Sequence, residues 1–349
     1  MRHFVGCGCG GGALSLGRRA LFGGAAAGLL GTAMPAAAEA PWRIDVHHHI
    51  SPPNWLTAVR QAKLDNPPMN NWSPQASLDA MDAAGVATSV TSATTPQAGF
   101  LPAEQAAAIS RDSNEYAATL RADHPGRFGL FAMLPLPHVD ESLKAIEYGM
   151  DTLKADGVGI LTSYGDKWLG DPVFAPVFEE LNRRRATVYT HPTSANCCVN
   201  VLRAIPDYAV EWGTDTTRAI ATLIFWGASQ KYPDINFIFS HGGGSLTSFA
   251  ERFQMQLLDL PQFKGKVTRA MVDGELRRFY YDTAQVANAV TIEALVKLVP
   301  VSQVVFGTDF NYRTPLEHVR GLAERFSEAD QRAIGRDNPL RILPRLRST

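Results

Sequence analysis

From residue 43 onward, short apolar runs alternate with longer stretches whose apolar residues recur at helical spacing. The runs at 43–49, 87–93, 128–134, 157–161, 187–191, 236–240, 279–282 and 303–307 predict eight strands. Amphipathic stretches between them predict helices near 77–85, 102–122, 139–154, 173–184, 216–231, 245–258 and 287–298. The first of these carries Leu78, Met81 and Ala84 on one face and is ended by Gly85. Strands that alternate with helices pair in parallel, and eight such units close into a (β/α)8 TIM-type barrel, here as a single domain. Residues 53–74, rich in Asn and Pro around Trp55 and Trp72, read as a long loop with at most a short helix, the kind of segment that usually binds something. Residues 259–278 read as a polar excursion.

In such a barrel the loops after the strands open on one face, so the last residues of each strand are the ones to inspect for chemistry. Strand one ends in His47-His48-His49, where alternation turns His47 and His49 to one face and His48 to the other. Strand five ends in His191, strand six in His241-Gly242-Gly243-Gly244, and strand eight in Gly307-Thr308-Asp309. Any one of these alone would be an ordinary capping or core polar residue. Together they place imidazoles and a carboxylate around one mouth, and such groups ligate metals.

This ordered set of strand-end motifs resembles the amidohydrolase superfamily. Within it the chain resembles the branch of aminocarboxymuconate semialdehyde decarboxylase and 6-methylsalicylate decarboxylase, and the likeness runs from Ile44 to Asp309. By position, the resemblance implies His47, His49, His191 and Asp309 as metal ligands and His241 as an acid/base group beside them. Binuclear members carry a carbamylated lysine at the end of strand four, where this chain has Gly157-Val158-Gly159-Ile160-Leu161-Thr162, so a single ion is expected. Three imidazoles and a carboxylate suit zinc, with manganese the alternative. The resemblance further implies that Arg252 reaches into a neighbouring subunit to hold a substrate carboxylate, and hence a homodimer. The branch's second carboxylate-binding arginine has no counterpart in residues 66–72, which favours a substrate with one carboxylate. Trp212 is expected to wall an aromatic substrate and Phe225 and Trp226 to be core; Asp215-Thr216-Thr217-Arg218 resembles a family segment bordering the pocket, the other reading being a helix start capped by Asp215.

The implied activity is a cofactor-free, metal-dependent decarboxylase of a salicylate-like or related unsaturated acid, with His241 or a protonated Asp309 delivering a proton to the ring carbon. The same ligands would serve a hydrolase that activates water against a lactone, amide or carbon–carbon bond. A catalytically silent metal-binding scaffold is the third reading, and the completeness of the ligand set argues against it. With a formal net charge of −1 and a pI near 6.8, nothing draws the chain toward nucleic acid or an anionic membrane.

The N-terminus reads as an address. Arg18-Arg19 precede a Gly/Ala-rich apolar run and the small residues Ala36-Ala37-Ala38, so residues 1–38 are expected to be a twin-arginine-type signal, cleaved after Ala38, and residues 39–349 the exported, periplasmic barrel. Of the four cysteines, Cys7 and Cys9 would leave with the signal. Cys197 and Cys198 are expected to be free thiols, since adjacent α-carbons sit closer than disulfide geometry favours. His124, His138 and His318 are expected at the surface.

Overall fold

The structure is a computed structural model and describes residues 40–348. The expected signal at residues 1–38 and its boundary lie outside the described residues. Eight parallel strands pair in sequential order: β1 Arg43–Ile50, β2 Val86–Ala93, β3 Phe128–Met133, β4 Gly157–Leu161, β5 Thr187–His191, β6 Asn236–Phe239, β7 Tyr280–Asp282 and β8 Val304–Val305. The eighth closes on the first. Val46 N–H donates to the Phe306 carbonyl at 2.9 Å, and Asp309 N–H to the His47 carbonyl at 2.8 Å. The barrel is therefore as expected, and the strand ends do meet at one face.

Two apolar layers hold it. The lumen is filled by Ile44, Val46, Val90, Phe131, Tyr189, Ile238 and Val305, and plugged from below by Ile342, Leu343 and Leu346 of the C-terminal segment. A larger layer, with Phe178, Ile220, Phe237, Leu276 and Leu295 among its members, lies between strands and outer helices. Side chains of this size each contribute on the order of 1.5–3 kcal/mol on full burial. Strict alternation fails in one useful place. The register of β1 shifts between Asp45 and His48, so Val46 joins the lumen core while His47, the next residue, also faces inward, its ring 5.2 Å from that of Tyr189. A bulge re-aims a side chain in this way at the cost of one ladder position.

Four expectations are corrected. Residues 53–74 form two helices, Pro53–Gln61 and Pro67–Asn71. Each starts with proline, which suits the first helical turn, and Trp55 is fully buried with its indole N–H on the Gln97 carbonyl at 2.8 Å. The polar excursion contains the helix Arg269–Arg278, capped by Thr268 and anchored through only Val272 and Leu276, a seam too thin to register as periodicity. Trp226 is 54 % exposed, whereas Phe225 is core. Cys197 and Cys198 form a disulfide across a Cα separation of 3.8 Å, in a short helical turn that brings the two side chains together.

Candidate metal centre

The backbone at the mouth is shaped before any side chain acts. His241 and Asp309 have φ values of 54° and 57°, in the left-handed region that non-glycine residues seldom enter. The glycines beside them are there for space. A Cβ on Gly307 would come within 2.8 Å of Asp282 Cβ and 2.9 Å of His47 Cβ, and one on Gly244 would collide with the Gly213 carbonyl. The Gly-Thr-Asp and His-Gly-Gly-Gly motifs thus fold as they do because the chain passes too close to its neighbours for any side chain.

Five functional groups converge there. Single ligand atoms of His47, His191, His241 and Asp309 lie within 4.8 Å of one another. His49 joins them, its Nε2 at 3.1 Å from His47 Nε2 and 3.2 Å from Asp309 Oδ1. Asp309 Oδ1 is equally 3.2 Å from His47 Nε2. That oxygen is buried yet accepts no hydrogen bond of good geometry, an orphan acceptor facing imidazole nitrogens. The residues expected at the metal position gather here, but the tight four-residue group includes His241, expected beside the ion, while His49 joins it through His47 and Asp309.

The outer nitrogens set which ring nitrogen is left to face an ion. His47 Nδ1 lies 2.7 Å from Asp282 Oδ2, His191 Nδ1 2.9 Å from the Pro192 carbonyl and 3.1 Å from Thr95 Oγ1, and His49 Nδ1 3.3 Å from Ser92 Oγ. An imidazole that donates from Nδ1 presents its Nε2 lone pair, which is the ligating tautomer. Asp282 does more, since its Oδ1 accepts the backbone N–H of His241 at 2.8 Å and of Ala284 at 3.0 Å. Sequence reading missed Asp282, although it ends strand seven in plain view. Position was the available signal.

The charge states suit a cation. Burial pushes the His191 pKa well below its ordinary value, and burial likewise lowers His49, so both rings stay neutral. Burial opposes charge on His47 as well, but Asp282 and Asp309 outweigh it and push that ring up to about 10. Burial would raise the Asp309 carboxyl, yet the His47 charge and the imidazole contacts hold it well below the usual carboxylate range. Asp309 is thus ionised in the chain itself. A compact site of two neutral imidazoles, a third on His47 that would give up its proton to an ion, and a carboxylate with an orphan oxygen fits a divalent ion.

The remaining predicted residues are placed as follows. Trp212 flanks the site, its ring 5.7 Å from His191 and its N–H on Ser194 Oγ at 3.1 Å. Arg252 is exposed on the helix Leu246–Leu257. Asp215 does not cap a helix; it is buried within Glu211–Phe225, accepting from Thr162, from Ser163 Oγ at 2.9 Å and from Trp168 Nε1 at 2.6 Å. It ties the end of β4 to the wall of the mouth. Thr162 confirms that no lysine ends that strand. His318, expected at the surface, is 1 % exposed, whereas His124 and His138 are half-buried.

Comparison with known proteins agrees with this fold. The decarboxylase yanB of Aspergillus niger is 36% identical over 328 residues, covering 87% of this chain and 88% of its own. The 6-methylsalicylic acid decarboxylase of Penicillium expansum is 34% identical over 318 residues, covering 87% of this chain and 97% of its own. The solved dihydroxybenzoic acid decarboxylase of Polaromonas sp. JS666, with bound manganese and the inhibitor 2-nitroresorcinol, shares the fold with a TM-score of 0.75 at 18% identity, covering 87% of this chain and 97% of its own. The Amidohydrolase family matches residues 44–345, and with strand-end histidines and Asp309 where its barrel collects them, this chain belongs to the amidohydrolase family.

Proposed function

We propose that the protein is a metal-dependent decarboxylase of a salicylate-like aromatic acid, requiring no organic cofactor and holding one divalent ion through His47, His49, His191 and Asp309. The observation that carries this reading is the inward convergence of the His47 and His49 imidazole nitrogens on the orphan oxygen of Asp309. The absence of a lysine at the end of β4 favours one ion over two. The donor set suits zinc, and the manganese of the Polaromonas enzyme keeps manganese as the alternative.

When bound, the ion would act as a Lewis acid and template for the carboxylate and ortho-hydroxyl of the substrate. The chain's own groups supply the rest. The net reaction replaces the ring's carboxylate by hydrogen, consuming one proton and releasing carbon dioxide. An ionised Asp309 is poorly suited to donate that proton. His241, whose side chain is 16 % exposed and whose Nε2 lies 3.3 Å from Asp309 Oδ2, can hold it at the mouth and be recharged from solvent. Trp212 offers an aromatic wall whose N–H is already engaged by Ser194, so the ring is held for a substrate to pack against. Arg252, exposed on the helix Leu246–Leu257, is proposed to bind the substrate carboxylate of a second copy in a homodimer.

The test is carbon dioxide release from 6-methylsalicylate and a panel of hydroxybenzoates, with lactones as controls, using zinc- or manganese-loaded protein. Ring product with stoichiometric carbon dioxide is expected. Lactone or amide hydrolysis without carbon dioxide would overturn the decarboxylase reading in favour of a hydrolase.

A further inference from the structure

The loop after β7 brings into the site a residue that no motif marks. Gln285 has a φ of 58°, a region that residues other than glycine seldom adopt, so something must hold it there. Its backbone N–H donates to His318 Nε2 at 2.8 Å, and its side-chain amide donates to Asp309 Oδ2. His318 is 1 % exposed, and its Nδ1 lies 3.0 Å from the Thr314 carbonyl. Donation from Nδ1 to Thr314 leaves Nε2 as an acceptor, so one neutral tautomer satisfies both contacts. Burial also lowers the His318 pKa, which keeps that acceptor lone pair available.

The two oxygens of Asp309 are treated differently. Oδ1 faces the Nε2 atoms of His47 and His49, each at 3.2 Å. Oδ2 takes the Gln285 amide and sits 3.3 Å from His241 Nε2. A carboxylate can present one oxygen to a cation or two, and the choice decides how many positions remain for a substrate. The amide of Gln285 is a pure donor at this point and restrains Oδ2 on the outer side.

We propose that Gln285 is a positioning residue for Asp309: its amide ties down Oδ2 so that Oδ1 alone faces His47 and His49, and the buried ring of His318 holds the backbone of Gln285 in the conformation that this reach requires. The inference rests on the metal reading above and adds the device that keeps a coordination position open. Gln285 itself is exposed at the rim, so its side chain can be changed without disturbing the core.

The experiment uses the full chain and cobalt(II) as a spectroscopic probe. Gln285→Met keeps the side-chain length and removes the donor. Its cobalt visible bands are expected to shift, its zinc affinity against a competing chelator to fall about 10- to 100-fold, and kcat on 6-methylsalicylate to fall with KM unchanged. His318→Gln, whose side-chain oxygen can still accept the Gln285 N–H, should keep the wild-type spectrum, and His318→Leu should reproduce the Gln285→Met shift. If His318→Leu fails to fold, Gln285→Met decides alone. A Gln285→Met protein with wild-type spectrum and affinity overturns the proposal, and so does a raised KM with both unchanged, which would make Gln285 a substrate contact. A wild-type chain that takes up no cobalt overturns the metal reading and this proposal together, whereas normal wild-type uptake with an indifferent variant overturns this proposal alone.

Discussion

Replacing Asp282 by asparagine tests the centre at the point where sequence reading was blind. Asp282 Oδ1 is fixed by two backbone N–H groups, from His241 and Ala284, while Oδ2 takes His47 Nδ1 at 2.7 Å. In Asp282→Asn the amide oxygen must stay on the two backbone donors, so the amide NH2 faces His47 Nδ1. Two donors cannot share that contact. The ring therefore moves its proton to Nε2, which then points at Asp309 Oδ1 and can no longer ligate. A charge-assisted hydrogen bond is worth about 1.5–3 kcal/mol, so the affinity for zinc should fall roughly 10- to 100-fold. One effect works the other way. In the ion-free chain Asp282 helps push the His47 pKa up to about 10, so a proton must leave before an ion enters, and the variant has less proton to expel. A dication feels the lost carboxylate more strongly than a proton does, so weakening wins. The sign with pH follows from the raised pKa: wild-type affinity should climb as pH rises from 7 toward 10, with one proton released by His47 per ion bound, and the climb should flatten in the variant. Chelator-competition titrations at several pH values, with proton release followed by calorimetry in buffers of different ionisation enthalpy, measure both. A variant with wild-type affinity and the same pH slope would refute the reasoning.

Gly307→Ala forces a Cβ against Asp282 and His47, and should cost about 1–3 kcal/mol of stability together with metal content, read by thermal unfolding and elemental analysis. Arg252→Ala should lower kcat/KM about 10- to 100-fold, the loss of one charged hydrogen bond, with metal content normal. Mixing it with His241→Ala should regenerate activity in exchanged dimers, and exchange without recovery would defeat the shared site. Arg18→Lys with Arg19→Lys should leave the precursor in the cytoplasm on cell fractionation; unchanged periplasmic recovery would count against the twin-arginine route.

The amino-acid sequence by itself determined the architecture, because strand and helix periods are local and their alternation admits few topologies. It also determined which groups crowd the mouth, since a parallel barrel gathers strand ends whatever their separation along the chain. His47, His49, His191, His241 and Asp309 were legible for that reason. What depends on contacts between distant segments was not. The bulge between Asp45 and His48 arises from pairing with β2, and a period-two reading passes over it. Asp282 and Gln285 act by reaching across from the seventh strand end to His47 and Asp309, and nothing in their neighbours announces the partner. His318 looked like a surface histidine on a helix because burial is decided by what packs above it, here the loop whose Gln285 N–H it accepts. For Asp215 the sequence left a pocket-bordering segment and a helix cap both open, because a local hydrogen bond is a common use of an aspartate at a helix start; the tertiary structure instead wraps Thr162, Ser163 and Trp168 around it. Residue type and order thus decided which chemistry is available, while the three-dimensional packing decided the tautomers, the ionisation states and which oxygen of Asp309 faces His47 and His49, because those depend on distances that no local pattern encodes.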